Sequence, residues 1–141
     1  FDEINLNDFR DETLDTQMAI YERFKYVLQK YKEETELHKR AWPETFKFEE
    51  IRLKRYRMGR GNFLDHVDVG SYDSAMRFLV LFVYLNDVEE GGETEFPELD
   101  LTVTPKCGTM LLFPSTWTYL HRGNTPISND KYLLGSYLHY V

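Results

Sequence analysis

The sequence predicts a mainly β domain, a sandwich or barrel, with one long helix at its N-terminal end. Three observations point there. Residues 14–41 carry apolar side chains at spacings of three, four and seven, the stripe of an amphipathic helix. From residue 46 onward, about seven short runs rich in aromatic and β-branched residues are separated by turns bearing Gly, Pro, Asn and Asp. Strand follows strand there without intervening helices, unlike an alternating α/β chain. With 141 residues, 42% hydrophobic and 16% aromatic, the sequence has material for one domain, 1–141, with a sizeable core.

Residues 1–12 are polar with scattered apolar positions and read as an irregular lead-in or an edge strand. In the helix that follows, Leu14, Met18, Tyr21, Phe24, Leu28, Tyr31 and His38 form the stripe. Thr13 or Asp11 caps its start, Pro43 stops it, and Trp42 is biased to extended backbone by that proline. Glu22, Lys25, Lys32, Glu33, Glu36 and Arg40 cover the other faces, so the helix reads as a buttress on a sheet and His38 as structural. Residues 46–58 read as a strand interrupted by Arg52, Lys54, Arg55 and Arg57, near an edge or facing a cleft; the Arg52 to Arg60 cluster reads as a solvated face. Gly59 and Gly61 mark a turn before a strand at 63–69 and a loop at 70–75. The unbroken apolar run at 77–85, RFLVLFVYL, fits a strand buried on both faces. Residues 86–100 read as a long acidic loop, a mobile lid, containing Gly91 and Gly92. A short extended piece at 101–103, a turn at 105–108 and a strand at 109–113 ended by Pro114 come next. Residues 116–121, a polar connection at 122–130 and a strand at 131–141 complete the chain.

The formal charge of −7 argues against general attraction to nucleic acid or anionic lipid. Cys107 stands alone, which excludes an intramolecular disulfide and fits a reducing, intracellular (cytoplasmic) compartment. No apolar run is long enough to span a membrane and no signal peptide is visible. The chain opens on Phe1 rather than a methionine, which leaves an upstream segment and a targeting signal open.

The chemistry centres on His66 and Asp68. Two residues apart on an extended strand, they point to one face and can hold one metal ion. His121, far downstream, supplies a third ligand if the fold brings separate strands together, as a jelly roll does. Two histidines and one carboxylate with open positions opposite are the ligand set of non-haem Fe(II) oxygenases. Lys131 follows on the last strand, where its ammonium can hold an acidic co-substrate through a charge-assisted hydrogen bond. His139 is the rival third ligand, but no lysine follows it. The acidic residues from Asp87 to Glu98 lack the spacing of a calcium loop.

On these residues the sequence resembles the 2-oxoglutarate and Fe(II)-dependent dioxygenases of the prolyl 4-hydroxylase-like family. RYRMGRGNFLDHVD, YLNDVEEGGETEF, GTMLLFP and HRGNTPISNDK carry the likeness, in family order, over residues 55–131. The resemblance implies a double-stranded β-helix, with His66, Asp68 and His121 on the iron and Lys131 on the distal carboxylate of 2-oxoglutarate. It implies Tyr84 and Tyr56 in the same pocket and Arg77 near the substrate side. Tyr137 stands where the family has an aromatic, often tryptophan, and takes no role from the match. Fe(II), 2-oxoglutarate and O2 are the implied cofactors and co-substrates, with ascorbate as a reductant. Bare packing is the competing reading for Tyr84 and Tyr56.

The expected reaction is hydroxylation of a C–H bond, with a peptide or protein substrate and prolyl 4-hydroxylation as the first choice. An entrance bordered by the arginines on one side and the acidic loop on the other suits an extended peptide of mixed charge. The same chemistry on a nucleobase or small metabolite is the alternative. So is a non-catalytic module that senses iron or 2-oxoglutarate, against which the intact ligand set argues. The sequence names neither the substrate nor the oligomeric state.

Overall fold

The apolar run Arg77–Tyr84 lies at the heart of the larger of two antiparallel sheets. The structure, a computed structural model, describes residues 1–35 and 38–141, and of residues 38 and 39 the backbone alone. In chain order the strands are β1 (Asp2–Asn5), β2 (Phe46–Phe48), β3 (Arg52–Tyr56), β4 (Phe63–His66), β5 (Arg77–Tyr84), β6 (Thr94–Phe96), β7 (Leu101–Val103), β8 (Met110–Pro114), β9 (His121–Gly123) and β10 (Lys131–Tyr140). The helices are α1 (Arg10–Glu34) and α2 (His38–Ala41). The large sheet runs β1-β3-β10-β5-β8 with β2 also on β10, and the small sheet runs β4-β9-β6-β7. Their arrangement is the jelly roll, a double-stranded β-helix with an N-terminal buttress.

Strand alternation divides the core in two. Leu79, Leu81 and Val83 of β5 face outward with Leu138 of β10 and meet Phe24 and Leu28 of α1. Val80, Phe82 and Tyr84 face inward and pack with Tyr56, Phe113, Leu133 and, from the small sheet, Phe96. Each such side chain, fully buried, stabilises the fold by about 1.5–3 kcal/mol. The outer cluster glues the helix to the sheet; the inner one holds the two sheets apart and walls a cleft between them.

Several expected boundaries move. The lead-in resolves into an edge strand, β1, pairing with β3, and then a 3-10 turn at Leu6–Phe9. Helix α1 therefore starts at Arg10, and neither expected cap acts as one. Thr13 is already inside the helix, its hydroxyl donating to the carbonyls of Leu6 and Phe9, and Asp11 sits in the first turn. The buried stripe rotates with the earlier start: Leu14 and Met18 are exposed, while Gln17 is buried and donates to the Leu6 carbonyl. The helix ends at Glu34, well before Pro43, with Thr35 extended. Helix continuity through residues 36 and 37, and the reading of His38 as structural, lie outside the described residues. The strand expected over 46–58 is two strands, β2 and β3, laid end to end against β10. Between them the Glu49 N–H donates to the Tyr137 carbonyl and the Ser136 hydroxyl donates to the Glu49 carbonyl, so the chain bends around β10 without losing its partners.

The largest correction concerns residues 86–100. They are a stitched wall, not a free lid. They contain β6, and the Glu90 carbonyl, the Gly92 N–H and the Glu93 carbonyl bond the backbone of residues 124–128 opposite. Ser128 accepts from the N–H groups of Glu89 and Glu90. Residues 116–121 form a 3-10 turn, Trp117–Tyr119, with only His121 in a strand. Among the described residues no helix is long and apolar enough to cross a membrane.

Candidate active site

The register of β4 on β9 sets His66 directly across from His121. β4 ends at His66, so Asp68 lies in a bend beyond the strand rather than on it. The same-face argument for H-x-D reaches the right pair, but the bend, held by the Val69 N–H on the Ser115 carbonyl, is what brings the carboxylate round. The donor atoms of His66, Asp68 and His121 all lie within 4.8 Å of one another.

Both imidazoles are set up as ligands. His66 Nδ1 lies 2.7 Å from the Leu64 carbonyl and His121 Nδ1 lies 2.9 Å from the Tyr119 carbonyl. A carbonyl only accepts, so the proton sits on Nδ1 and the Nε2 lone pair is free in each ring. Burial, followed by the proximity of His121, lowers the pKa of His66 and so favours the neutral, ligating form. Asp68 Oδ2 sits 3.6 Å from His121 Nε2 and is buried with no hydrogen-bond partner among the described residues. A buried carboxylate oxygen left bare beside free imidazole nitrogens is costly in isolation and fits a divalent transition metal.

These groups open into a cleft between the sheets, lined also by Arg52, Lys54, Tyr56, Val80, Phe82, Thr94, Arg122, Lys131, Leu133 and Tyr137. Lys131 is only 1% exposed. Its ammonium donates to the Gly92 carbonyl at 2.7 Å and lies 4.2 Å from the centre of the Tyr56 ring. Burial lowers its pKa to about 8. Gly92, at φ +74°, favours glycine for its backbone, and a Cβ there would crowd Val88 and Pro126.

The expected pocket residues part company. Tyr56 faces the cleft, its phenol pushed up by burial. Tyr84 is on the inward face of β5 but does not line the cleft; its hydroxyl donates to Thr94 Oγ1 at 2.6 Å, and burial raises it to about 12. Thr94 thus stands between Tyr84 and the cavity. Arg77 does not line it either: Glu49 takes its guanidinium in two hydrogen bonds, at 2.7 and 2.8 Å. His139 lies near the far end of β10, paired with Lys47 of β2, and outside the donor group. Arg52 and Lys54 are not simply a solvated face, since they line the cleft and pair with Glu3 and Glu49. The acidic flank expected opposite them is turned away: alternation along β6 buries Thr94 and Phe96, while Glu95 bonds Arg122 and Asn124. Sequence reasoning passed over Tyr137, whose hydroxyl donates to Asp68 Oδ1 at 2.9 Å. The signal was present, because Lys131 and Tyr137 fall on one face of a strand of period two.

A jelly roll with two histidines and an aspartate at one end of an inter-sheet cleft, and a buried lysine in the same cleft, defines the class of non-haem iron oxygenases that use an acidic co-substrate. Comparison with known proteins makes this specific. The 2OG-Fe(II) oxygenase superfamily matches residues 51–139, and the chain belongs to it. It is 31% identical over 107 residues to the prolyl 4-hydroxylase subunit alpha-1 of Gallus gallus, a match covering 64% of this chain and 20% of that protein. The chain thus spans about a fifth of that curated relative. Among solved structures it resembles the viral collagen prolyl hydroxylase of Paramecium Bursaria Chlorella virus-1, in its 2OG complex, at 26% identity and TM-score 0.73, covering 90% of this chain and 74% of the other. A prolyl 4-hydroxylase structure from Phytophthora capsici matches at 27% identity and TM-score 0.65, over 97% of this chain and 47% of that one. The chain therefore has the fold of that superfamily, with a His-Asp-His cluster and a buried lysine in one cleft, and these likenesses are to prolyl hydroxylases.

Proposed function

We propose that this chain hydroxylates proline in an extended peptide, with His66, Asp68 and His121 holding Fe(II) and Lys131 holding 2-oxoglutarate. The observation that carries the site is the bare Asp68 oxygen beside two imidazoles, in one cleft with a buried ammonium. The peptide substrate is supported by relatives named as prolyl and collagen prolyl hydroxylases.

Bound Fe(II), with 2-oxoglutarate and O2, supplies the oxidation: one oxygen atom enters the C–H bond, the other enters succinate, and carbon dioxide leaves. The chain's own part is orientation and exclusion of water. His66 and His121 keep their protons on backbone carbonyls and offer Nε2. Lys131 offers its ammonium to the distal carboxylate, against the Tyr56 ring. Val80, Phe82 and Leu133 form an apolar wall that keeps water off the reacting groups.

Lys131 gives this reading a pH signature. Its ammonium is the form that binds a carboxylate, and in the ligand-free protein it loses its proton near pH 8. Affinity for 2-oxoglutarate is then flat below that pH and weakens roughly tenfold per unit above it, until the pKa of the bound state is reached. Calorimetric titration of the metal-loaded protein between pH 7 and 9 measures this. Lys131→Arg, which keeps its charge, flattens the profile; a flat profile in the parent rules Lys131 out as the anchor.

The substrate test is direct. With Fe(II), 2-oxoglutarate and ascorbate supplied, proline-rich peptides stimulate succinate release and gain one oxygen atom by mass, while single-stranded oligonucleotides do neither. Oxygen gain by the oligonucleotides alone overturns the peptide reading and leaves the iron site standing.

A further inference from the structure

The two oxygens of Asp68 are in different states. Oδ1 accepts the Tyr137 hydroxyl at 2.9 Å, whereas Oδ2 has no hydrogen-bond partner among the described residues and faces His121. Tyr137 is itself held from behind. The Arg77 guanidinium lies 3.9 Å from the centre of its ring, and Glu49 grips that guanidinium through two bonds. Glu49 is anchored in turn. Its N–H donates to the Tyr137 carbonyl at 2.8 Å, and its carbonyl accepts from Ser136 at 2.7 Å and from the Tyr21 hydroxyl of α1 at 3.0 Å.

We propose that Tyr137 is a positioning residue that holds Asp68 to one-oxygen ligation of the metal, with Arg77 and Glu49 fixing its ring. The proposal rests on the metal reading of the site. Asp68 lies past the end of β4, so no strand pairing dictates its side-chain direction. A carboxylate free to turn can bind a metal through both oxygens, and the second would take a position that the co-substrates need. A hydroxyl donating to Oδ1 removes that freedom and leaves Oδ2 alone to ligate. A partner of this kind, bonded to a ligand rather than to the metal, is typically worth about 10–100-fold in metal affinity. The chain of contacts also gives α1 a share in the site, through Tyr21 and Glu49.

The test uses Co(II) as the probe, titrated into metal-free protein under argon and followed by visible absorption. Tyr137→Phe keeps the ring under Arg77 and deletes only the hydroxyl. Its Co(II) affinity is expected to fall about 10–100-fold, with an altered spectrum, while the metal-free protein stays folded and its melting temperature drops only by what one lost hydrogen bond accounts for. Arg77→Lys keeps a charge for Glu49 but loses the planar stack; it weakens Co(II) less. Combined with Tyr137→Phe it adds nothing, because both changes act through one hydroxyl. A parent protein that takes no Co(II) removes the metal reading and the proposal together. A parent that binds, with Tyr137→Phe within about twofold of it, overturns the positioning role alone. An additive double variant, or a Tyr137→Phe protein that no longer melts cooperatively when metal-free, also overturns it by showing a structural effect. Should Tyr137→Phe fail to fold, Arg77→Lys decides: unchanged Co(II) affinity overturns the proposal and weakened affinity with intact melting supports it.

Discussion

Asp68→Ala abolishes iron-dependent succinate formation and leaves the protein folded. The loss exceeds the roughly 100-fold upper range seen for residues that merely support a ligand, because a ligand itself is gone. Stability behaves differently. The carboxylate has one buried oxygen with no hydrogen-bond partner among the described residues, and an unsatisfied buried polar group typically costs about 1–3 kcal/mol. Removing it relieves that cost and strands the Tyr137 hydroxyl, which loses its acceptor at about 1–3 kcal/mol. The two nearly offset, so the melting temperature of the metal-free variant stays close to that of the parent. Succinate release and a thermal melt check both halves. Parental activity in the variant would sink the metal assignment; a collapsed melt would make Asp68 a folding residue instead.

Lys131→Met produces the second large effect, and it runs in opposite directions for function and stability. Removing one half of a buried ion pair typically costs about 3–5 kcal/mol, so the 2-oxoglutarate requirement rises roughly 10²- to 10⁴-fold, with metal affinity changing far less. In the ligand-free protein, however, the ammonium is buried with one carbonyl and one ring for company. Its pKa of about 8 in place of 10.5 means that folding disfavours the charged form. That cost, at most about 3 kcal/mol, is fully present below pH 8. Between pH 8 and 10.5 the unfolded chain binds more protons than the folded one, so the cost fades and stability rises with pH. An uncharged methionine of similar length removes it at neutral pH, less what the bond to Gly92 contributed. The variant therefore melts higher at pH 7, and the gap narrows by pH 10. Overlapping 2-oxoglutarate titrations of variant and parent would dismiss Lys131 as the anchor; a melt lowered at pH 7 would show that the buried ammonium stabilises the fold.

What the sequence determined by itself was what local chemistry encodes. The run at 77–85 read as a doubly buried strand, since it is short, bracketed by polar turns and uncharged through its interior, and Arg77–Tyr84 is that strand. His66, Asp68 and His121 were expected together from the H-x-D pair and the motifs around it, and the fold brings their donor atoms within 4.8 Å of one another with Lys131 in the same cleft. Tertiary structure decided what depends on partners far along the chain. It set the turn of α1, because β1 pairs with β3 and starts the helix at Arg10, burying Gln17 in place of Met18. Pairing likewise made a wall of residues 86–100, whose acidic composition reads as loop until residues 124–128 supply the hydrogen bonds. It drew Arg77 away from the cleft, because Glu49, brought alongside by the bend before β3, offers both carboxylate oxygens to its guanidinium. And it gave Tyr137 a contact with Asp68, since a phenol on the last strand reaches a carboxylate after β4 only once the two sheets have closed on each other.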